Sequence, residues 1–301
     1  MQKTLAALGR AALYILAYVG MQILVSFGFS VFGIGFFILS GGNGGIDEIL
    51  EFLMQFLAQT AMLAMLISAV LTLGVYALVA LVRKRSLSEH AVLTAPAESA
   101  SLLAAIPFGF AANLLISFVI SLLPQPLLDS YGEASSALAS QEPGMIYFLA
   151  SVLVVPFLEE VLFRGLVQNT LKRSMRLEFA VLVQALFFAL MHTGIVWMAY
   201  AFVLGLALGI LREAQRSLWP GFVLHAAFNG ASFISMLLPE LLANPLVYVL
   251  VLMLSAVAFI LLGYALFIHT PAAKPETEPV PETDFYSAAN QPGDDTQNGG
   301  N

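Results

Sequence analysis

The sequence predicts an all-α, polytopic membrane protein: eight transmembrane helices, both termini cytoplasmic, and a disordered C-terminal tail. Three observations predict it. The chain is 59% hydrophobic and only 10% charged, where a soluble domain carries about 25% charged residues. Its apolar residues fall into eight stretches that reach or approach the ~20 residues needed to cross a bilayer. Its basic residues sit in alternate loops, as the positive-inside rule requires.

The elements follow in order. The first apolar stretch, residues 11–39, comes after Lys3 and Arg10. It is far longer than the apolar region of a cleaved signal, so it reads as an uncleaved first helix. Residues 52–82 form the second stretch and end at Arg83-Lys84-Arg85; residues 102–123 form the third. The fourth, residues 145–171, runs into Lys172, Arg173 and Arg176. The fifth and sixth, residues 179–191 and 195–211, are short. The turn between them, His192-Thr193-Gly194, is expected below the membrane surface, which is tolerated only where protein or a water-filled cavity surrounds it. Arg212 and Arg216 follow the sixth; residues 218–238 and 246–268 complete the set before Lys274. With the N-terminus inside, every loop Lys and Arg falls on the cytoplasmic side. The outer loops hold no Lys or Arg and do hold acids, among them Asp47, Glu48, Asp129, Glu133, Glu142 and Glu240.

Residues 270–301 are rich in Pro, Glu, Asp, Thr, Asn and Gly and cannot bury a core, so disorder in the cytoplasm is expected. In this tail six acids stand against a single base, Lys274, and account for most of the formal charge of −7. The rest is nearly neutral, and nothing points to nucleic acid as a partner. There is no Cys, which excludes disulfides and thiolate metal sites.

Against this apolar background, Glu159, Glu160 and Arg164 stand inside the fourth stretch. Even on the lenient insertion scale a charge at the bilayer centre costs roughly 2.5–3.5 kcal/mol, so such residues are buried against partners, usually at a working site. Glu160 and Arg164 are four apart and share a helix face; Glu159 lies about 100° round the helix. A single Glu–Arg pair also reads as a structural lock, but a second adjacent Glu adds a charge that packing does not need. Pro156 just before the pair is expected to bend the helix. The fifth stretch places Gln184, Phe188 and His192 on one stripe, and the seventh places His225, Asn229 and Ser232 on another. Taken alone, each stripe reads as polar glue between helices. Counted from the basic loops at 1.5 Å per residue, however, Glu159, His192 and Asn229 lie roughly 20–24 Å deep and His225 roughly 14 Å, all in the middle of the bilayer, which favours one shared site. Ala201, Gly205 and Gly209 in the sixth stretch read as a ridge for close helix packing.

The order Glu159-Glu160-xxx-Arg164, Phe188-xxx-His192, His225-xxx-Asn229 resembles the CPBP family. This family comprises the type II CAAX prenyl endopeptidases and the related bacteriocin-processing or immunity (Abi-like) membrane proteases. All three motifs are present, in order, on separate expected helices. The resemblance divides the chain into residues 1–144 (three N-terminal helices and their loops), 145–269 (catalytic helices four to eight) and the tail 270–301. It implies an intramembrane endopeptidase in which Glu159, with His192, polarises a water. Glu160 supports the site, Arg164 orients it, His225 and Asn229 stabilise the oxyanion, and Phe188 lines the pocket. With no activated Ser or Cys, direct attack by water is the economical route. No cofactor is favoured. Zinc held by Glu159, His192 and His225 is the alternative, although there is no HExxH and Asn is a poor zinc ligand. The substrate implied is a membrane-associated or lipidated peptide, reached laterally or from the cytoplasm, with the bilayer as the other partner. A multi-pass protein of a prokaryotic plasma membrane is expected. Two other classes stay open: a non-catalytic scaffold, sensor regulator or immunity protein of the same fold, and a proton-coupled transporter. The last is disfavoured because no paired repeats are visible.

Overall fold

A computed structural model describes residues 2–42, 45–84, 86–90, 93–139 and 141–268. Every element among them is helical: α1 (Gln2–Leu39), α2 (Ile46–Val82), α3 (Leu87–His90), α4 (Ser99–Ser121) and α5 (Gln125–Ala139). The long α6 (Met145–Lys172) follows, then α7 (Leu177–Ala189), α8 (Ile195–Gln215), α9 (Trp219–Leu237) and α10 (Pro239–Ala243). The last helix is α11 (Pro245–Ile268). The tail expected to be disordered, together with Arg85 and His269, lies outside the described residues.

All eight expected spans fall on helices, and six (α1, α2, α4, α6, α8, α11) are long and apolar enough to cross a membrane. The other two depart for physical reasons. At 13 residues α7 is short, about 20 Å at the α-helical rise. The 19-residue α9 carries His225, Asn229, Ser232 and Ser235, which dilute its apolar character. Helices α1 and α2 begin earlier than the apolar runs do. In α2 the extra turn carries Asp47 and Glu48, acids that favour a helix N-terminus but are invisible to a hydropathy reading. Helices α3, α5 and α10 lie in segments expected to be loops.

Helix α6 is the most buried of the six long helices and α11 the least. Packed on α6 are α1, α2, α7, α8 and α9, while α4 lies between α9 and α11. One core joins Leu158, Leu162, Phe163 and Leu166 of α6 to Ala7, Ala11 and Tyr14 of α1 and Tyr76 of α2. A second joins Phe108 of α4, Leu204, Leu208 and Leu211 of α8, and Leu224 and Phe228 of α9. Outward, α1, α2 and α11 present Leu, Ile, Val and Phe side chains that are more than half exposed, such as Phe27, Leu81 and Leu254. Such bare faces suit lipid rather than water.

The helix ends fall into two groups, of which the basic one is tied by hydrogen bonds. At one end Thr4 Oγ1 donates to the Ser174 carbonyl, Arg83 Nη1 to the Tyr14 hydroxyl, and Ser217 Oγ to the Ala95 carbonyl. Gln215 Nε2 donates to Leu266 O there, and Lys172 pairs with Glu213 at 3.2 Å. This is the basic end. At the other end the His192–Gly194 turn lies under α5. Gly194 has φ +78°, and a Cβ there would stand 2.8 Å from the Ala134 methyl, so glycine serves both the backbone angle and the close approach.

Candidate active site

The site is organised by a change of pitch inside α6. Wide π-helical turns run over Phe148–Val154 and Glu160–Val167, separated by an ordinary α segment, Val155–Glu159. Pro156 lies in that segment. Its missing N–H and bulky ring disrupt regular α-helical bonding, and the adjoining wide turn absorbs the irregularity, a device common at functional sites. Glu159 ends the α segment and Glu160 opens the second wide turn, so the two carboxylates face different surroundings.

Glu160 and Arg164 form the buried pair that their spacing predicts. Arg164 Nη1 donates to Glu160 Oε1 at 2.9 Å, with the two side chains 0% and 1% exposed. The same oxygen accepts from His225 Nδ1 at 3.0 Å. Glu160 Oε2 has no hydrogen-bond partner and faces Gly221, where a Cβ would come within 3.2 Å of it. Arg164 Nη2 reaches the Gly205 carbonyl at 3.4 Å. Its guanidinium also lies 4.5 Å above the Phe188 ring, a cation–π contact. Phe188 meets the His192 and His225 rings edge-on, at centroid distances of 4.9 and 5.7 Å. It is therefore the aromatic hub between the two imidazoles.

The hydrogen-bond partners set the imidazole protons. A carbonyl can only accept, so the contact of His192 Nδ1 with the Phe188 carbonyl at 2.9 Å puts a hydrogen on Nδ1. In the neutral ring this leaves Nε2 with a lone pair. On His225, Nδ1 donates to Glu160, and Nε2 lies 3.6 Å from Glu159 Oε2. Asn229 donates one amide hydrogen to the Ser151 carbonyl at 2.8 Å and keeps a second.

Glu159, Phe188, His192, His225 and Asn229 all line one cavity of about 340 Å³. Glu160 and Arg164 stand behind its wall. The structure thus brings the seven sequence-derived residues into one locality. Glu159 has its close contact with His225 rather than with His192. Among the described residues, no group of three or more His, Asp or Glu is placed to hold a metal ion. In this arrangement His192 does not close round Glu159 and His225 as a third ligand.

Gln168 and Glu213 escaped the sequence reading, and Gln184, named there only as part of a stripe, proves to have a partner on α8. Gln168 donates to the Gly209 carbonyl at 3.1 Å and to Glu213 Oε1 at 2.9 Å. Gln184 donates to the Gly205 carbonyl at 2.8 Å. Arg164, Gln168 and Lys172 on α6 therefore step along Gly205, Gly209 and Glu213 on α8, both at intervals of four. The glycines expected only for close packing also expose carbonyls to these side chains; a Cβ on Gly209 would stand 2.6 Å from Gln184 Nε2. The signal was present as a polar stripe continuing from Glu160 and Arg164 through Gln168 to Lys172. The cavity residues Tyr18 and Asn113 carried none.

Residues 141–231 match the family model described as type II CAAX prenyl endopeptidase Rce1-like. The matched stretch contains all seven site residues. Neither the search of curated proteins nor that of solved structures found a match.

Proposed function

We propose, from the premise that this chain carries an Rce1-like domain over residues 141–231, that it is an intramembrane endopeptidase in which Glu159 activates water. The chain is a multi-pass membrane protein of a protease family. The reading of eight crossings with cytoplasmic termini is supported by the loop charges, and the topology and compact size suit a prokaryotic plasma membrane. One observation carries the enzymatic reading: Glu159 lines the cavity against His225, while Glu160 stands behind the wall, paired with Arg164 and holding the other ring nitrogen of His225. A purely structural lock needs only the second pair.

In the proposed reaction a water in the cavity gives a proton to Glu159, with the His192 Nε2 lone pair as a second acceptor for its other hydrogen. The hydroxide formed attacks the peptide carbonyl carbon. The free amide hydrogen of Asn229 and an Nε2–H of His225 donate to the developing oxyanion while Glu159, ionised, takes the water proton; such donors act most strongly where water is excluded. Collapse of the tetrahedral intermediate breaks the C–N bond, and the proton taken from water goes to the leaving amine. Arg164 and Glu160 fix His225 without touching substrate. The substrate class is a membrane-associated or lipid-modified peptide.

Proteomics of membrane peptides from cells carrying wild type or Glu159→Gln tests this. The variant keeps the shape and removes the base. Peptides that accumulate uncut only in the variant are the expected result; identical peptide profiles would defeat the proposal.

A further inference from the structure

The cavity is one-ended. On α6 its lining runs from Tyr147 to Glu159 and stops, 13 residues short of Lys172. On α7 it begins at Phe188, on α9 at His225, and on α8 it ends at Leu204. Each of these helices lines the cavity only on the side of the carboxylates away from its own basic end, at Arg176, Arg216 and Arg212 respectively. Towards the basic end the space is filled. Leu158, Leu162, Leu208 and Leu211 are fully buried, and the Arg164, Gln168 and Lys172 ladder binds α6 to α8. At the opposite end the rim holds exposed Thr193 and Ser117. There α5 lies across it, with Tyr131 and Ser135 contributing to the wall and Tyr131 edge-on to Tyr200 at 6.3 Å.

By the positive-inside rule the basic end is cytoplasmic. We infer that the site opens to the non-cytoplasmic face beneath α5, so that its substrate is a peptide segment presented from outside the cytoplasm. This deepens the endopeptidase reading and rests on it for the word substrate. It places the scissile bond on the opposite side from a cytosolic prenylated tail and replaces the expectation of entry from the cytoplasm.

The chain has no Cys, so single-cysteine variants need no background removal. Thr193→Cys and Ser135→Cys at the rim, Ser232→Cys inside the cavity and Arg176→Cys at the basic end are treated with a small membrane-impermeant thiol reagent. Labelling is compared between spheroplasts and sealed inverted vesicles. The inference expects the first three to label at least ten-fold more in spheroplasts and Arg176→Cys to show the reverse. Rim and cavity cysteines that label only in inverted vesicles, or only after detergent, would overturn it. If Thr193→Cys fails to fold, Ser135→Cys carries the same reading. Labelling requires no catalysis. A protein that labels as expected but cuts nothing therefore sinks the endopeptidase proposal while leaving the access route standing.

Discussion

Replacing Arg164 with methionine keeps the length of the side chain and removes the charge that Glu160 faces. Arg164 is fully buried and Glu160 nearly so; Glu160 Oε2 has no hydrogen-bond partner, and without Arg164 its Oε1 keeps only the bond from His225. Removing one partner of such a pair costs about 3–5 kcal/mol, because the other charge stays buried without compensation. The double variant Glu160→Gln/Arg164→Met removes that charge too, and its amide oxygen still accepts from His225. Both variants lose the contact with Phe188, worth roughly 2 kcal/mol when desolvated, so this loss cancels between them. The double variant should therefore be more stable than Arg164→Met by about 1–3 kcal/mol, the remainder of the first figure. Unfolding in mixed micelles, followed by the fluorescence of Trp197 and Trp219, reads the difference. Equal midpoints for the two variants would show that Arg164 is not what balances Glu160, and the division of labour between the two carboxylates would fail with it.

Asn229→Ala should lower kcat about 10²–10³-fold with little change in KM, as for loss of one oxyanion donor; steady-state kinetics on a cleaved peptide checks this. Glu159→Gln should lower kcat by about 10²–10⁴-fold, the usual contribution of a positioned base, without shifting the thermal midpoint. Gly209→Val should destabilise by roughly 1–3 kcal/mol through overpacking, since even a Cβ would press on Gln184 and Val181; thermal unfolding in detergent measures it. A chelator should leave cleavage by the purified enzyme unchanged, and loss of activity restored by zinc would reinstate the metal alternative.

The helices were legible where apolar runs were long, and the site where charge interrupted them. Glu159, Glu160 and Arg164 declared themselves by cost, and His225 and Asn229 by a four-residue spacing on a helix otherwise apolar. What stayed hidden depended on contacts distant in sequence. Gln168 looks like an ordinary polar residue near a membrane edge until α8 supplies the Gly209 carbonyl and Glu213. That Glu159 lies beside His225 rather than His192 depends on the pitch change at Glu160, and regular helix geometry gave no sign of that. Helix α5 was hidden because its surface character looks like a loop by hydropathy, although it covers the turn at Gly194.

The leucines packed beneath Glu159 have a consequence for the cell as a whole. A hydrolase needs water at membrane mid-depth, and a wet channel from face to face would let protons and small ions run down their gradients. Ending the cavity at the carboxylates keeps Leu158, Leu162, Leu208 and Leu211 as an apolar seal, which would let the proposed endopeptidase work without discharging the membrane that holds it.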